Sequence, residues 1–158
     1  CRKDKCVVQA IHTFSKVLTA GKEKDKQLAL RMLIHIIGDI HQPLHAGLRE
    51  DRGGNWYEVT YQGKSISLHK FWDNKLVKRM KLDWQDVATE LNTNMGNISL
   101  AKPEVWAEQS HAITVNQVYQ VKENAAVSPE YLAMADEIIK KQIETAGWRL
   151  GMWLNKLW

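Results

Sequence analysis

The 158-residue chain reads as a mainly α-helical, single-domain bundle carrying one small β-hairpin. Three observations predict it. Apolar residues recur at three- and four-residue intervals over long stretches, as they do on one face of an α-helix. Helix-starting signals such as Ser128-Pro129-Glu130 stand where such stretches begin. Strand-type alternation is confined to residues 56–60 and 65–68. The length suits one domain with a real core, and 44% apolar with 25% charged residues excludes disordered and fibrous classes. No uninterrupted apolar run approaches the roughly 20 residues of a membrane span.

Taken in order, residues 5–19 form a first helix, with Val7, Ala10, Ile11, Phe14, Val17 and Leu18 on one stripe and His12 beside it in a packing or surface role. Residues 21–25 (GKEKD) make a polar loop. A second helix ends near Asp39. Its Leu, Met and Ile residues fall on nearly every side, so it is expected to be buried all round. A loop, AGLREDRGGN, leads into WYEVT and SISL, two strands joined by a turn through Tyr61, Gln62, Gly63 and Lys64. So small a hairpin must lean on helices. Helix resumes near Leu68. Asp83 is a suitable N-cap for a helix over 84–94, and Pro103 suits the first turn of another over 103–119. Ser128 caps the last helix, which reaches at least residue 154 with Ile138, Ile139, Ile143, Ala146 and Leu150 toward the core. Trp148, Trp153 and Trp158 are read as packing residues of that helix. No repeat or linker divides the chain, so one core is expected.

The formal charge of +4 is local: residues 1–26 hold seven Lys or Arg against three Asp or Glu, and the remainder is balanced at fifteen each. That is a solvated N-terminal face rather than a nucleic-acid-binding stripe. Cys1 and Cys6 are the only cysteines. They would be free thiols in a reducing compartment, and can close a small loop in an oxidising one. Metal ligation is disfavoured because no second Cys or His cluster lies near them in sequence. The disulfide is preferred, and with it a secreted or periplasmic setting. No signal peptide is visible, since the chain opens with CRKDKC.

The chemistry concentrates in LIHIIGDIHQPLH, residues 33–45. His35 and Asp39 stand one helical turn apart on one face. Burying such a pair is costly unless a partner such as a cation compensates, and Pro43 turns the chain so that His45 can return as a third donor. The pattern recurs in LHKFWD, where His69 and Asp73 share the same spacing. A helix-surface His–Asp contact is the plainer account of either pair alone. Together they give five N/O donors, more than one structural zinc uses. Clusters of several metal ions favour phosphate-ester hydrolysis.

GDIHQPLH followed by EDRGGN and then LHKFWD resembles the S1/P1 nuclease family, zinc-dependent single-strand nucleases and 3′-nucleotidases, and the likeness runs along essentially the whole chain. The resemblance implies the helical fold shared by P1 nuclease and zinc-dependent phospholipase C, with three zinc ions in a complete enzyme. By position, His35 matches a ligand of a close zinc pair and Asp39 the carboxylate bridging that pair. His45, His69 and Asp73 match the ligands of the third ion. His41 matches no ligand and is expected beside the site, holding a ligand or phosphate in place. Gly53 and Asn55 match the nucleoside-pocket segment, which also reads as a tight turn, and Arg52 suits either a phosphate or a salt bridge. The Cys1–Cys6 spacing resembles a short disulfide loop of the family.

Family members also carry an N-terminal tryptophan, two histidines and an aspartate that complete the close pair, and an aromatic residue that stacks the base. This chain begins at Cys1 without them. The expectation is therefore the C-terminal part, residues 1–158, of one such domain. It is expected to be inactive unless the N-terminal segment accompanies it as another polypeptide. The implied activity is zinc-dependent endonucleolytic hydrolysis of single-stranded DNA or RNA to 5′-phosphate products, with 3′-nucleotidase activity and nucleotides as further substrates. A phospholipase C on the same fold and a non-catalytic metal-binding helical domain are the alternatives. Asn97-Ile98-Ser99 is a glycosylation acceptor should the source be eukaryotic.

Overall fold

The structure, a computed structural model, describes residues 6–81, 83, 85, 88–89 and 98–157. Helices α1 (Val7–Ala20) and α2 (Glu23–Asp39) form a helical hairpin. Its loop is only Gly21 and Lys22, because Glu23 and Asp25 already serve the first turn of α2, where acidic side chains complement the helix dipole. Gly21 is required by contact: a Cβ there would lie 2.3 Å from the Val17 carbonyl oxygen. Helix α2 is amphipathic rather than buried all round. Ala29, Leu33, Ile36 and Ile37 are buried, whereas Leu28 and Ile34 are 59% and 50% exposed. Counting apolar residues around the helix did not show that only one side has helices packed on it.

A 3₁₀ turn (Pro43–Ala46) follows, entered through Gln42, whose side chain accepts the Leu44 N–H. Strands β1 (Glu58–Tyr61) and β2 (Lys64–Ser67) pair antiparallel from Glu58–Ser67 to Tyr61–Lys64. Gln62 and Gly63, both at positive φ, make the tight two-residue turn. Residues 124–127 cover the outer edge of β1: Thr60 N–H donates to the Ala125 carbonyl and Val127 N–H to that of Thr60. The hairpin thus leans on the segment that enters the last helix.

The helix after the hairpin is not uniform. Helix α3 (Leu68–Lys70) runs into a π-helical stretch (Phe71–Leu76) and then α4 (Val77–Met80). Phe71, Trp72 and Leu76 of the wide turn are all buried, and the Trp72 indole N–H donates to the Tyr131 hydroxyl at 3.0 Å. Such turns often mark functional sites. Gln85 N–H donates to Asp83 Oδ1 at 2.9 Å, as a capping aspartate should accept. Most of the helix expected over 84–94, and Asn97, lie outside the described residues. Helix α5 (Pro103–Asn116) stops earlier than expected and a 3₁₀ turn (Val118–Gln120) follows it. Helix α6 (Pro129–Leu157) closes the chain, with Tyr131 N–H donating to Ser128 Oγ.

Among the described residues the buried apolar side chains fall into two clusters, where one core was expected. One gathers Ile11, Leu33, Ile37, Ile40, Trp106 and Trp153; the other gathers Leu44, Val59, Phe71, Trp72, Tyr131 and Ile138. Three segments cross from one cluster to the other: residues 40–44, α5 and α6. Each bears polar residues at the crossing, namely His41 on the first, Ser110 and Thr114 on α5, and Gln142 and Arg149 on α6. Ile143, expected in the core, is 40% exposed, while Glu144, Thr145 and Arg149 are buried in its stead. No described helix is long and apolar enough to cross a membrane.

Candidate metal centre

Asp39 at the end of α2, the His69–Asp73 pair and the turn bearing His45 meet here. His69 and Asp73, one turn apart, approach to 3.2 Å between Nε2 and Oδ2. The His69 Nδ1–H donates to the Gly53 carbonyl at 2.7 Å, which fixes the tautomer and leaves Nε2 as the free donor atom. Gly53 makes this possible. It sits at φ +67°, and a Cβ there would lie 2.5 Å from the Leu44 carbonyl oxygen.

The 3₁₀ turn after Pro43 brings His45 alongside. Its Nδ1 faces two acceptors of Asp39, the carboxylate Oδ1 at 2.8 Å and the backbone carbonyl at 3.0 Å, so Nδ1 carries the proton. Nε2 is then aimed at Asp73, 3.6 Å from Oδ1. The His45 and His69 rings stack with centroids 5.2 Å apart. The hydrogen bond from His45 holds the Asp39 carboxyl below the usual carboxylate range, and the same bond raises the His45 imidazole against its partial burial.

His45, His69 and Asp73 each offer a ligand atom within 4.8 Å of the others, the one such group of three or more among the described residues. Tetrahedral zinc with donors at about 2.0–2.1 Å requires donor separations of about 3.3 Å. The 3.2 Å contact between His69 Nε2 and Asp73 Oδ2 lies close to that requirement. The donor set, two imidazoles with directed Nε2 atoms and one carboxylate, is of the kind zinc accepts. Around it opens a cleft of about 720 Å³ lined by Asp39, Leu44, His45, Arg49, Arg52, Gly53 and His69.

The other expected site residues fall as follows. His35 is exposed on α2 one turn before Asp39, near enough for its charge to lower the Asp39 pKa, but the hydrogen-bond partner of Asp39 is His45. Asn55 is exposed and its Nδ2 donates to the Arg52 carbonyl at 2.8 Å, a turn contact. Arg52 lies 5.4 Å over the exposed Trp56 ring, lines the cleft and joins no ion pair among the described residues. Cys1 of the expected disulfide lies outside the described residues. His12, to which no chemistry was assigned, pairs with Glu104 at 2.9 Å away from this site.

His41 holds the backbone rather than a ligand side chain. Only 2% exposed, it donates from Nδ1 to the Ile37 carbonyl at 2.6 Å and accepts Arg149 Nη1 at Nε2, 2.9 Å. Burial pushes its pKa down to about 4. Arg149 also donates to the Ser99 carbonyl and to Gln109 Oε1, and stacks on Trp106.

Four further side chains, missed from sequence, secure the segment between Asp39 and His45. Ser110 donates to the Ile40 carbonyl (2.7 Å), Gln142 to that of His41 (2.6 Å), Thr114 to that of Pro43 (2.5 Å) and His111 to that of Ala46 (2.6 Å). The carbonyls of Ile40, His41 and Pro43, between Asp39 and His45, and of Ala46, just after His45, are thereby tied to α5 and α6. One signal was available: Trp106, Ser110 and Thr114 recur every four residues, which sets small hydroxyls on the buried face of α5.

Comparisons with known proteins identify the family. The family model described as S1/P1 Nuclease matches residues 1–158. Endonuclease 1 of Arabidopsis thaliana is 29% identical over 181 aligned positions, covering 98% of this chain and 59% of the relative. Nuclease S1 of Aspergillus oryzae is 27% identical, covering 98% and 63%, and Nuclease P1 of Penicillium citrinum is 24% identical, covering 99% and 68%. The chain therefore spans about three fifths of the first two relatives. With the match running from end to end, the chain belongs to the S1/P1 nuclease family.

Proposed function

We propose that the chain supplies one zinc site, and part of a second, of a zinc-dependent endonuclease that cleaves single-stranded DNA and RNA to 5′-phosphate products and removes 3′-phosphates from nucleotides. The observation that carries this reading is the convergence of His45, His69 and Asp73, each offering a ligand atom within 4.8 Å of the others, at the edge of an arginine-lined cleft. His45, His69 and Asp73 would hold one ion, which would supply Lewis-acid stabilisation for a departing 3′-oxygen. Asp39 fixes the His45 tautomer with one oxygen and, with His35, offers the remaining donors toward a close zinc pair, for three ions in the complete enzyme. The other ligands of that pair come from a further segment, on this or another polypeptide.

Arg49 and Arg52 attract and orient the phosphodiester at the cleft mouth. The turn through Gly53 and Asn55 provides backbone and amide groups for the nucleoside. The Cys1–Cys6 disulfide and a secreted or periplasmic location complete the proposal.

The test uses protein expressed from its full reading frame, loaded with zinc, on a single-stranded oligonucleotide, a duplex of the same sequence, a 3′-nucleotide and phosphatidylcholine. Expected is chelator-sensitive cleavage of the single strand and of the 3′-nucleotide. Hydrolysis of phosphatidylcholine alone makes it a phospholipase C. Zinc binding without any hydrolysis makes the metal a fold-securing group.

A further inference from the structure

Gln42 lies between His41 and Pro43, and its amide faces two ways. Its Oε1 accepts the Leu44 N–H at 2.5 Å, and its Nε2 donates to Asp73 Oδ1 at 2.7 Å. The first bond decides the second. With the oxygen committed to a backbone N–H, the amide cannot flip, so an N–H and not a carbonyl must face the carboxylate. Asp73 stands 31 residues away on the π-helical stretch, and Gln42 joins that helix to the turn that carries His45.

We propose that Gln42 is the positioning residue of the metal centre, which selects the oxygen that Asp73 presents to the ion. The carboxylate straddles the two imidazoles, Oδ1 3.6 Å from His45 Nε2 and Oδ2 3.2 Å from His69 Nε2. Of the two oxygens, Oδ1 accepts the Gln42 N–H, so Oδ2 is presented with its lone pairs unshared beside the lone-pair nitrogen of His69. One turn of chain therefore sets two of the three ligands: His45 through its backbone, and Asp73 through the Gln42 amide. The inference rests on the zinc reading above. It adds to that reading a residue whose side chain is not itself a ligand.

The decisive variant is Gln42→Glu. It keeps the size of the side chain and an oxygen for the Leu44 N–H, so the turn is retained, but it replaces the donor to Asp73 with an acceptor. Gln42→Ala and Gln42→Met each remove both bonds, the methionine keeping the bulk of the side chain without adding charge. The 158-residue chain and its three variants are titrated with Zn²⁺ against a chromophoric chelator and with Co²⁺ by visible absorption, beside thermal melts without metal.

Expected for the wild type is one tight site. All three variants should bind zinc about 10–100-fold more weakly, the range found for partners of metal ligands. Their Co²⁺ spectra should shift, and the metal-free melts should show each variant folded at the temperature of the titration. Wild-type affinity or tighter binding, with an unchanged Co²⁺ spectrum, in Gln42→Glu or Gln42→Met overturns the assignment and leaves Gln42 as a cap of the turn. No metal binding by the wild type overturns the zinc reading itself, and the inference with it.

Discussion

Acidification should destabilise this fold through one buried imidazole. His41 is 2% exposed, with Nδ1 bound to a carbonyl and Nε2 accepting a guanidinium N–H, so a second proton has no acceptor and would meet Arg149. Its pKa falls from 6.5 to about 4 on folding. The unfolded chain therefore takes up the proton first. Stability is fully present above pH 6.5 and is lost as pH falls toward about 4. At about 1.4 kcal/mol per pH unit, the loss across that window is about 3 kcal/mol. The assay is urea denaturation of metal-free wild type and of His41→Gln at about pH 7 and about pH 4.5, the variant serving to subtract every other titrating group. The wild type should lose about 2–3 kcal/mol more than the variant. An equal loss in both proteins, or an NMR titration of His41 with a midpoint near 6.5, refutes the reasoning.

Other perturbations follow from the same contacts. Gly53→Ala forces a side chain into the left-handed region and against the Leu44 carbonyl; it should cost about 1 kcal/mol or more in a denaturation midpoint and displace the His69 acceptor, lowering zinc affinity about tenfold or more. Thr114→Val removes the hydroxyl that ties the Pro43 carbonyl to α5; chemical denaturation should show a loss of about 1–3 kcal/mol. Arg149→Lys keeps the charge but cannot reach His41, Ser99 and Gln109 together; a drop of about 2 kcal/mol is expected, and unchanged stability would show that the guanidinium fork is dispensable.

What could be read from the sequence was whatever local geometry fixes. His69 and Asp73 meet because four residues make one turn, and His45 returns because Pro43 breaks the helix after Asp39. The hairpin turn at Gln62 and Gly63 and the Ser128 cap are local in the same way. Contacts between distant segments were not legible. Asp39 was read with His35, its neighbour along α2, whereas its hydrogen bond goes to His45, six residues on. Gly53 was read as pocket lining, yet its carbonyl orients a histidine sixteen positions away. The apolar pattern of α2 could not tell its packed side from its exposed one. The π-helical stretch arises where Phe71 and Trp72, adjacent in sequence, both enter the core, which an α-helical pattern does not anticipate.

The most direct measurement is zinc titration of the chain by calorimetry, paired with His45→Ala, His69→Ala and Asp73→Ala. The account predicts one tight site in the wild type, lost in all three variants, whose metal-free stabilities differ little from one another. A wild type that binds no zinc, or one whose zinc survives all three substitutions, contradicts it.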